Sequence, residues 1–402
     1  MNRASPTSQC RRPGLPRTCP PGHRGRWRSA YVHIPFCRRR CPYCDFAVVA
    51  PGDPHADDLA GLTQRYLAAL HAEIDIQSEV DNGLAGESLD AINLGGGTPS
   101  SIGATAIGEI VEHLDSRFGL APGAEVSIEA NPEDVSEELV DGLLAVGVNR
   151  VSIGVQSFDD EVLRFLGRAH TAEQAGAALE MCVPRFACGV DLIFGAPGES
   201  LDSWRATVAS ALSVYPHHLS AYGLTVEAGT ALWRAVRAGA SAPDPDDQAD
   251  KYEVVQAAAA DANLVQYEVS NYARPGFTCR YNLSTWGQGE YVGLGVGAHG
   301  HRNAVRSRNV RSVLAYVKAL EAGDLPEAGR EVPVEPEMER LILGVRRSCG
   351  VDLGEWEEAA ASHAGLQRLV AAGVIEIRRG RLRVLRPLLA DDVAATVLSL
   401  SP

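Results

Sequence analysis

Residues 31–44 read Tyr-Val-His-Ile-Pro-Phe-Cys-Arg-Arg-Arg-Cys-Pro-Tyr-Cys, an apolar run followed at once by three cysteines. The run has the composition of a buried strand, which places Cys37, Cys41 and Cys44 on the loop that leaves it. Three thiols spaced C-x3-C-x2-C can hold one metal centre, and arginines 38–40 can offset the charge of the thiolates. Zinc normally takes a fourth ligand, and no Cys or His follows closely. An iron–sulfur cluster on three thiolates keeps one iron open to a small molecule.

Downstream of this loop, short β-rich runs alternate with segments of helical period up to about Thr225. The predicted strands are 31–34, 90–94, 125–129, 150–155, 189–194 and 219–224. The predicted helices include 59–76, 104–118, 136–146 and 201–214. Ser136 and Ser200 precede acidic first turns and are predicted N-caps. This alternation predicts a parallel α/β fold, and six units are too few for a complete eight-unit barrel.

The pattern changes after about Glu335, where helices are predicted at 338–347 and 366–372, followed by a hairpin with Gly380 at its turn. This arrangement resembles a small winged-helix domain. The expected organisation therefore has four parts: a disordered basic leader at 1–28, a barrel at 29–235, a cap and connecting region at 236–330, and a helical winged-helix-like domain at 331–402.

Composition and charge restrict the class of protein. The 402 residues are 45% hydrophobic and 22% charged, an ordinary globular composition. Seven of the 37 Lys and Arg residues lie within 1–28, which has no acid, so the rest of the chain sets 30 basic against 51 acidic residues, a net charge of −21. This acidity argues against nucleic acid as the main partner, although the hairpin near Gly380 is rich in arginine. No apolar run is long enough for a membrane span, and a cytosolic protein is expected, with peripheral membrane contact left open.

A second motif, Gly95-Gly96-Gly97-Thr98, follows the second predicted strand. Glycines without Cβ let a ligand approach the backbone, but the run has neither the dinucleotide fingerprint nor a P-loop ending. Four further polar side chains occur near strand ends, where side chains of an α/β barrel converge on one mouth. They are Glu129, Gln156, Arg168 and Asp191.

The cysteine motif and these segments together resemble the radical S-adenosylmethionine (SAM) superfamily. Over about residues 29–400, the chain resembles its HemW-type haem chaperones, which are relatives of oxygen-independent coproporphyrinogen III oxidase. The resemblance implies a partial (β/α)6 radical-SAM barrel and a [4Fe-4S] cluster on the three cysteines. It also implies SAM contacts from Gly96, Gly97 and Thr98 at the methionine end, Glu129 and Gln156 at the ribose, Arg168 at the carboxylate, and Asp191 near the nucleoside, with Tyr31 and Tyr43 alongside.

The implied chemistry is reductive cleavage of SAM with one electron from a donor such as a flavodoxin or ferredoxin. Whether the chain is an enzyme stays open at this point. The main expectation is a chaperone that binds haem and hands it to acceptor proteins. The alternatives are an oxygen-independent coproporphyrinogen III oxidase, a radical-SAM enzyme on another substrate, and a zinc-stabilised nucleic-acid module. The oxidases extend the motif with a cysteine where this chain has Phe46, which favours the chaperone.

The family also carries a His-Asn-x-x-Tyr-Trp motif linked to haem. Here the corresponding stretch has Tyr281, Asn282 and Trp286, with Thr285 in place of the family tyrosine. Tyr281 is one candidate for the axial ligand, and three rivals stay open: His299, His301 and Cys279. Alternatively, Asn282 and Trp286 only brace the Gly-rich run 293–300 over the barrel mouth. Because the haem segment lies far along the chain from the cysteines, replacing all three cysteines is expected to leave some haem binding.

Overall fold

The computed structural model describes residues 27–54, 56–80, 88–333 and 335–400. Within these ranges, twelve strands form one continuous sheet and three more form a small separate sheet. The predicted leader lies outside the described residues except for Trp27 and Arg28, which begin the first strand. No helix in the described ranges combines the length and the apolar character that a membrane crossing requires.

The centre of the large sheet consists of parallel strands in chain order. They are β1 (Trp27–Ile34), β2 (Leu89–Gly96), β3 (Leu120–Ala130), β4 (Arg150–Gln156), β5 (Ala187–Phe194) and β6 (His218–Gly223). The helices among them are α1 (Leu59–Val80), α2 (Gly103–Phe118), α3 (Glu137–Ala145), α4 (Asp160–Phe165), α5 (Ala172–Cys182) and α6 (Leu201–Ser213). All six predicted strands are present, and the sheet does not close on itself. The partial (β/α)6 barrel is confirmed.

The helices pack on one face of this sheet and bury its alternate side chains. Val32, Leu94 and Ile128 lie in this core and are fully buried. Both predicted N-caps are confirmed, because the Ser136 hydroxyl accepts from the Leu139 amide and the Ser200 hydroxyl from the Ser203 amide. The sequence pattern therefore fixes both the strands and the entry points of the helices that cover them.

The next part of the chain extends the same sheet on both sides. Its elements are α7 (Ala231–Arg237), α8 (Pro245–Asp261), β7 (Val265–Gln266), β8 (Asn271–Ala273), α9 (Arg280–Trp286), β9 (Glu290–Leu294), β10 (His299–Arg302), β11 (Val305–Asn309), α10 (Val313–Glu321) and β12 (Glu327–Glu331). Strand β9 pairs parallel with β1, and β10, β11 and β12 follow it antiparallel. The Gly-rich run 293–300 is therefore divided between the sheet and a turn: its two ends belong to β9 and β10, and residues 295–298 connect these strands. A Cβ on Gly293 would collide with the His299 carbonyl, so close pairing of β9 with β10 requires glycine there.

The last segment forms its own small core around Leu341, Leu366 and Leu382. Its elements are α11 (Pro336–Gly344), β13 (Val351–Asp352), α12 (Glu357–Ser362), α13 (Ala364–Ala371), β14 (Ile375–Arg378), β15 (Arg381–Val384) and α14 (Ala390–Leu398). The predicted hairpin is present, and its turn residues Arg379 and Gly380 have φ of 53° and 72°. Positive φ at both positions is the geometry of a tight hairpin turn. The predicted domain boundaries stay predictions.

Candidate functional site

Side-chain alternation along the parallel strands separates a core face from a polar face. On β5, Val190 and Leu192 lie in the core beneath the helices, and Asp191 between them lies on the opposite face. The register pairs Glu129 with Ser152, and Ser152 with Gly189, two residues before Asp191. Because side chains repeat every second residue, the two carboxylates share the polar face.

The cysteine loop, residues 37–44, leaves β1 and is fastened to the glycine motif. The Gly97 amide donates to the Ile34 carbonyl and the Thr98 amide to the Phe36 carbonyl, both at 2.9 Å. The Cys37 amide donates to the Val49 carbonyl at 3.0 Å. These bonds bring the two sequence motifs, separated by more than fifty residues, into direct contact.

The three thiols of this loop are unbridged and partly exposed. Burial raises the pKa of Cys37 to about 11, and the neighbouring Cys44 and Cys41 thiols raise it further, while the Thr98 hydroxyl lowers it. Within the described ranges, no three His, Cys, Asp or Glu side chains form a set that could hold a single metal ion. The fit to an iron–sulfur cluster therefore rests on the donor chemistry, since soft thiolates select such clusters, and on the mutual electrostatic influence of the three sulfurs.

A hydrogen-bonded circuit connects two of the cysteines. Thr98 Oγ1 donates to Cys37 Sγ at 3.5 Å and accepts from Asn131 Nδ2 at 3.0 Å. The Asn131 Oδ1 accepts from Arg168 Nη2, and Arg168 Nη1 donates to Cys41 Sγ at 3.6 Å. The Arg168 Nε is buried and has no hydrogen-bond partner within the described part of the chain. Arg168 is therefore held against the cysteine loop and keeps one N–H donor unused. Such a donor suits an anionic ligand beside the cysteines.

Sequence reasoning did not assign Asn131 to the site. Its position directly after Glu129 and Ala130, at the carboxyl end of β3, is the signal that could have identified it. Two of arginines 38–40 also form ion pairs, Arg38 with Asp134 at 2.6 Å and Arg40 with Asp53 at 2.8 Å. Burial raises the pKa of Cys44, and the charge of Arg40 lowers it, in the direction that the sequence predicts. A further guanidinium, that of Arg168, contacts a thiol directly.

The two carboxyls of the polar face lie close enough to influence each other. Burial, and then the charge of Asp191, raises the pKa of Glu129 to about 7. Its Oε2 accepts from the Gly96 amide at 3.2 Å, and a Cβ on Gly95 would lie only 2.6 Å from its Oε1. Both Asp191 oxygens accept from the Ser152 hydroxyl at 2.9 Å, and burial raises the pKa of Asp191. The glycine motif therefore makes room for neighbouring residues of the protein, with Gly95 packed against Glu129 and Gly96 against His33.

Gln156 ends β4 in a strained conformation. Its φ is 66°, which non-glycine residues rarely adopt, and the β4–β5 register shifts just before it. A Cβ on Gly154 would lie 2.9 Å from Gln156 Nε2 and 3.4 Å from Arg168 Nη2. The strain therefore turns the Gln156 amide back toward the site, and strain of this kind is typical of functional positions.

Tyr31 precedes the cysteine loop and Tyr43 lies within it, and the two side chains have different surroundings. Tyr43 packs against an apolar cluster that includes Leu166 and Leu224. The His33 Nε2 must donate to the Ala47 carbonyl at 2.9 Å, so its Nδ1 accepts from the Tyr31 hydroxyl at 3.1 Å. Burial lowers the pKa of His33 to about 4, which keeps the ring neutral. His33 thus supports Tyr31 and the backbone at Ala47 through its two ring nitrogens.

Helix α9 carries the predicted haem residues but does not bring their side chains together. Tyr281 stacks on Tyr31 with ring centroids 5.9 Å apart and planes at 18°. Asn282 Nδ2 donates to the Tyr267 hydroxyl at 3.4 Å, and Trp286 lies under Arg346, 4.9 Å from its guanidinium carbon. Tyr281 thus contacts Tyr31 on β1, the strand that leads into the cysteine loop. Distance along the chain is therefore no measure of separation from the cysteine loop.

A cavity of about 300 Å³ lies beside the cysteine loop. We call it the aromatic cavity; its lining includes Tyr31, His33, Phe46, Tyr281, Tyr291 and His299. A larger cavity of about 550 Å³, between β11 and the C-terminal helices, is lined by none of the predicted site residues. Its position away from the cysteines makes it the weaker candidate despite its size.

Comparison with known proteins agrees with this geometry. The sequence profile of the Radical SAM superfamily matches residues 31–211. The E. coli coproporphyrinogen III oxidase HemN, a radical SAM enzyme, has the same fold, with a TM-score of 0.77 over 93% of this chain and 91% of that one at 21% identity. The fold and site therefore define a radical SAM protein, a class that implies a [4Fe-4S] cluster and SAM.

Sequence relatives identify the family within this superfamily. Heme chaperone HemW of Mycobacterium tuberculosis H37Rv is 39% identical over 92% of this chain and 94% of its own length. HemW of E. coli K12 is 37% identical over 68% of this chain and 69% of its own. A bovine mitochondrial radical S-adenosyl methionine domain-containing protein is 33% identical over 89% of this chain and 82% of its own. The chain belongs to the HemW family.

Proposed function

We propose that this protein is a haem chaperone that binds haem and transfers it to acceptor proteins, and that it carries a [4Fe-4S] cluster and a SAM site. The observation that carries the proposal is the aromatic cavity beside the cysteine loop, with Tyr31, Tyr281 and Tyr291 in its wall. Aromatic walls with a few polar groups are typical of sites for flat, largely apolar ligands. The relatives at 33–39% identity named as haem chaperones support it.

In this proposal Cys37, Cys41 and Cys44 hold the cluster. Bound together, cluster and SAM supply one-electron reductive chemistry at a carbon–sulfur bond. The chain's own part is to bind and orient. The unused Nε of Arg168 is available to the SAM carboxylate, and Thr98 holds the Cys37 side of the loop through its hydroxyl.

The remaining proposed SAM contacts come from residues on or near the polar face of the sheet. Glu129 and Gln156 are proposed for the ribose hydroxyls, because both carry polar atoms at the strand ends and Glu129 is held by the Gly96 amide. Gly96 and Gly97 present backbone near the methionine end, and Asp191 lies near the nucleoside. Tyr31, which precedes the loop, and Tyr43, which lies within it, limit the access of water.

The oxidase is the alternative function, and likeness to HemN in fold does not favour it, since 21% identity speaks for the fold alone. The oxidases have a further cysteine at the position where this chain has Phe46. Its side chain is 58% exposed and lines the aromatic cavity. An exposed phenylalanine there supplies apolar contact area for a macrocycle instead of a thiol.

The partners of this function are haem, a haem-acceptor protein and a one-electron donor of the flavodoxin or ferredoxin type. A cytoplasmic location is part of the proposal, because three cluster thiols must stay reduced. No part of the proposal uses nucleic acid.

The test uses the full chain, purified anaerobically and reconstituted with iron and sulfide. Haem titration is followed by absorption, and coproporphyrinogen III turnover is measured on the same sample with SAM and a reductant. Stoichiometric haem binding, transfer to an apo-haemoprotein and no turnover are expected. Carbon dioxide release from coproporphyrinogen III with stoichiometric 5′-deoxyadenosine would contradict the proposal and identify an oxidase.

A further inference from the structure

The four residues that the sequence offers as ligands of haem iron differ in access. Cys279 is 6% exposed and His301 is 7% exposed. The His301 Nδ1 is also engaged with the Gly289 carbonyl at 3.1 Å. A ligand could reach either side chain only after a local opening of the sheet, so neither is available in the folded protein.

Tyr281 reaches the aromatic cavity, but its ring is part of the wall. It stacks on Tyr31 at 5.9 Å, and Tyr291 meets it edge-on with centroids 5.7 Å apart and planes at 82°. Burial also raises the pKa of the Tyr281 hydroxyl, which disfavours the phenolate that binds iron. Turning the hydroxyl toward a ligand would break both ring contacts.

His299 differs from these three residues. It is the first residue of β10, it is exposed, and it lines the same cavity as Tyr31 and Tyr281. Within the described residues, neither nitrogen of its ring takes part in a hydrogen bond or an ion pair. A neutral imidazole with a free nitrogen is the side chain that most often ligates haem iron.

Cationic side chains lie beside His299. Arg311 lines the cavity, and its side chain is 66% exposed, 4.0 Å from the Asp45 carboxylate. Arg308 is directly opposite His299 in the β10–β11 register and is also exposed. Haem carries two propionates, and arginine pairs well with carboxylates.

Resting on the proposed haem function, we propose that His299 is the protein ligand of the haem iron in this chain, that Tyr281 is the aromatic wall against which the macrocycle packs, and that Arg311 pairs with a propionate. The tyrosine that replaces the family histidine is thereby compensated by an imidazole from a neighbouring strand.

The experiment titrates haem into the full chain under anaerobic conditions and records affinity and the absorption and electron paramagnetic resonance spectra. His299→Ala is expected to weaken haem binding by about tenfold or more and to change the spectra. Added imidazole should restore the wild-type spectra in this variant, because a small ligand can occupy the vacated position. Arg311→Ser should weaken affinity without changing the axial-ligand spectra.

One control and one further variant separate the outcomes. His113→Ala removes an imidazole from α2, which does not line the cavity, and should bind haem as the wild type does. Tyr281→Phe removes the rival hydroxyl and keeps the stacked ring, so it should leave the axial-ligand spectra unchanged, whatever its effect on affinity. Unchanged affinity and spectra in His299→Ala would overturn the assignment. If Tyr281→Phe alone lost the spectrum, Tyr281 would be the ligand and the proposed function would still hold. A wild-type chain that binds no haem would overturn the proposed function and this assignment together.

Discussion

The cysteine loop and the aromatic cavity share β1, yet their side chains are held in different ways. At the loop, polar side chains bond to one another, from Cys37 through Thr98, Asn131 and Arg168 to Cys41. At the cavity, ring packing supplies the order. A connected polar network suits a small, charged, oriented ligand, whereas packed rings suit a flat apolar one. The comparison teaches that one strand can present two surfaces of opposite character.

The largest effect is expected from removing the three thiols of the cysteine loop. Replacing Cys37, Cys41 and Cys44 by alanine is expected to abolish the brown iron–sulfur absorption and SAM cleavage completely, because these thiolates are the proposed protein ligands of the cluster. Haem binding should partly survive, since ring packing does not need the sulfurs. Cys182→Ala, in the core beneath the helices, is the matched control and should keep the cluster. A folded triple variant with no haem binding at all would contradict the separation of the two sites.

The second prediction compares two arginines near the loop. Arg168→Met should weaken SAM binding by about tenfold to a hundredfold, the scale of one charge-assisted hydrogen bond. Arg38→Met, whose partner in the wild type is Asp134 and whose side chain is 59% exposed, should change SAM binding by less than about fivefold. Equilibrium dialysis of both reconstituted variants gives the two affinities. Equal losses of SAM affinity in the two variants would show that net positive charge, rather than the hydrogen-bond network around Arg168, holds the ligand.

A third prediction concerns Glu73, which fastens the cavity side of the sheet to α1. Its carboxylate accepts from the Gly295 amide, the Tyr316 hydroxyl and the Asn309 amide, each at 2.7 Å. Burial raises the pKa of Glu73 from 4.5 to about 7. The folded protein therefore holds this proton more tightly than the unfolded chain does. Its contribution to stability is complete below the unfolded pKa and is lost as pH rises through about 7.

The change is expected to reach about 3 kcal/mol in the free energy of unfolding of the cofactor-free chain. Urea unfolding at pH values on either side of this window measures it. Glu73→Gln should be less stable at low pH, because an amide cannot accept from every donor, but its stability should vary less across the window. A variant with the same pH slope as wild type would show that another group is responsible.

The smallest expected effect tests the outer part of the haem motif. Trp286 contacts Arg346 and does not line the aromatic cavity, so Trp286→Leu should change haem affinity by less than about twofold. Haem titration of this variant beside Tyr281→Ala, which removes the ring stacked on Tyr31, shows which half of the motif matters. A larger loss in Trp286→Leu would move the haem site toward the C-terminal segment.

Local pattern accounts for what the sequence predicts correctly. The six parallel strands have near-continuous apolar character, and Ser136 and Ser200 mark helix starts through bonds to residues three positions away. The cysteine loop and the glycine motif are identified by spacing. Each of these signals is contained in a short stretch of sequence, which is why it can be interpreted without a structure.

The features that were missed depend on pairing between distant segments. Strand β9 contains Gly293 and reads as a loop, because its partner β1 lies more than 250 residues earlier. Asn131 has no motif of its own and acquires its role only where Thr98 and Arg168 meet it.

The position of β1 between β2 and β9 has a consequence for the order of assembly during synthesis. Strands β1 to β6 can pair once the ribosome has released the first half of the chain, and this completes the cysteine loop and its bonds to the glycine motif. One edge of β1 stays unpaired until β9 and β10 emerge some seventy residues later. The cysteine loop can therefore form before the aromatic cavity closes. In the interval the nascent chain exposes an unpaired sheet edge, a feature prone to pairing with other chains.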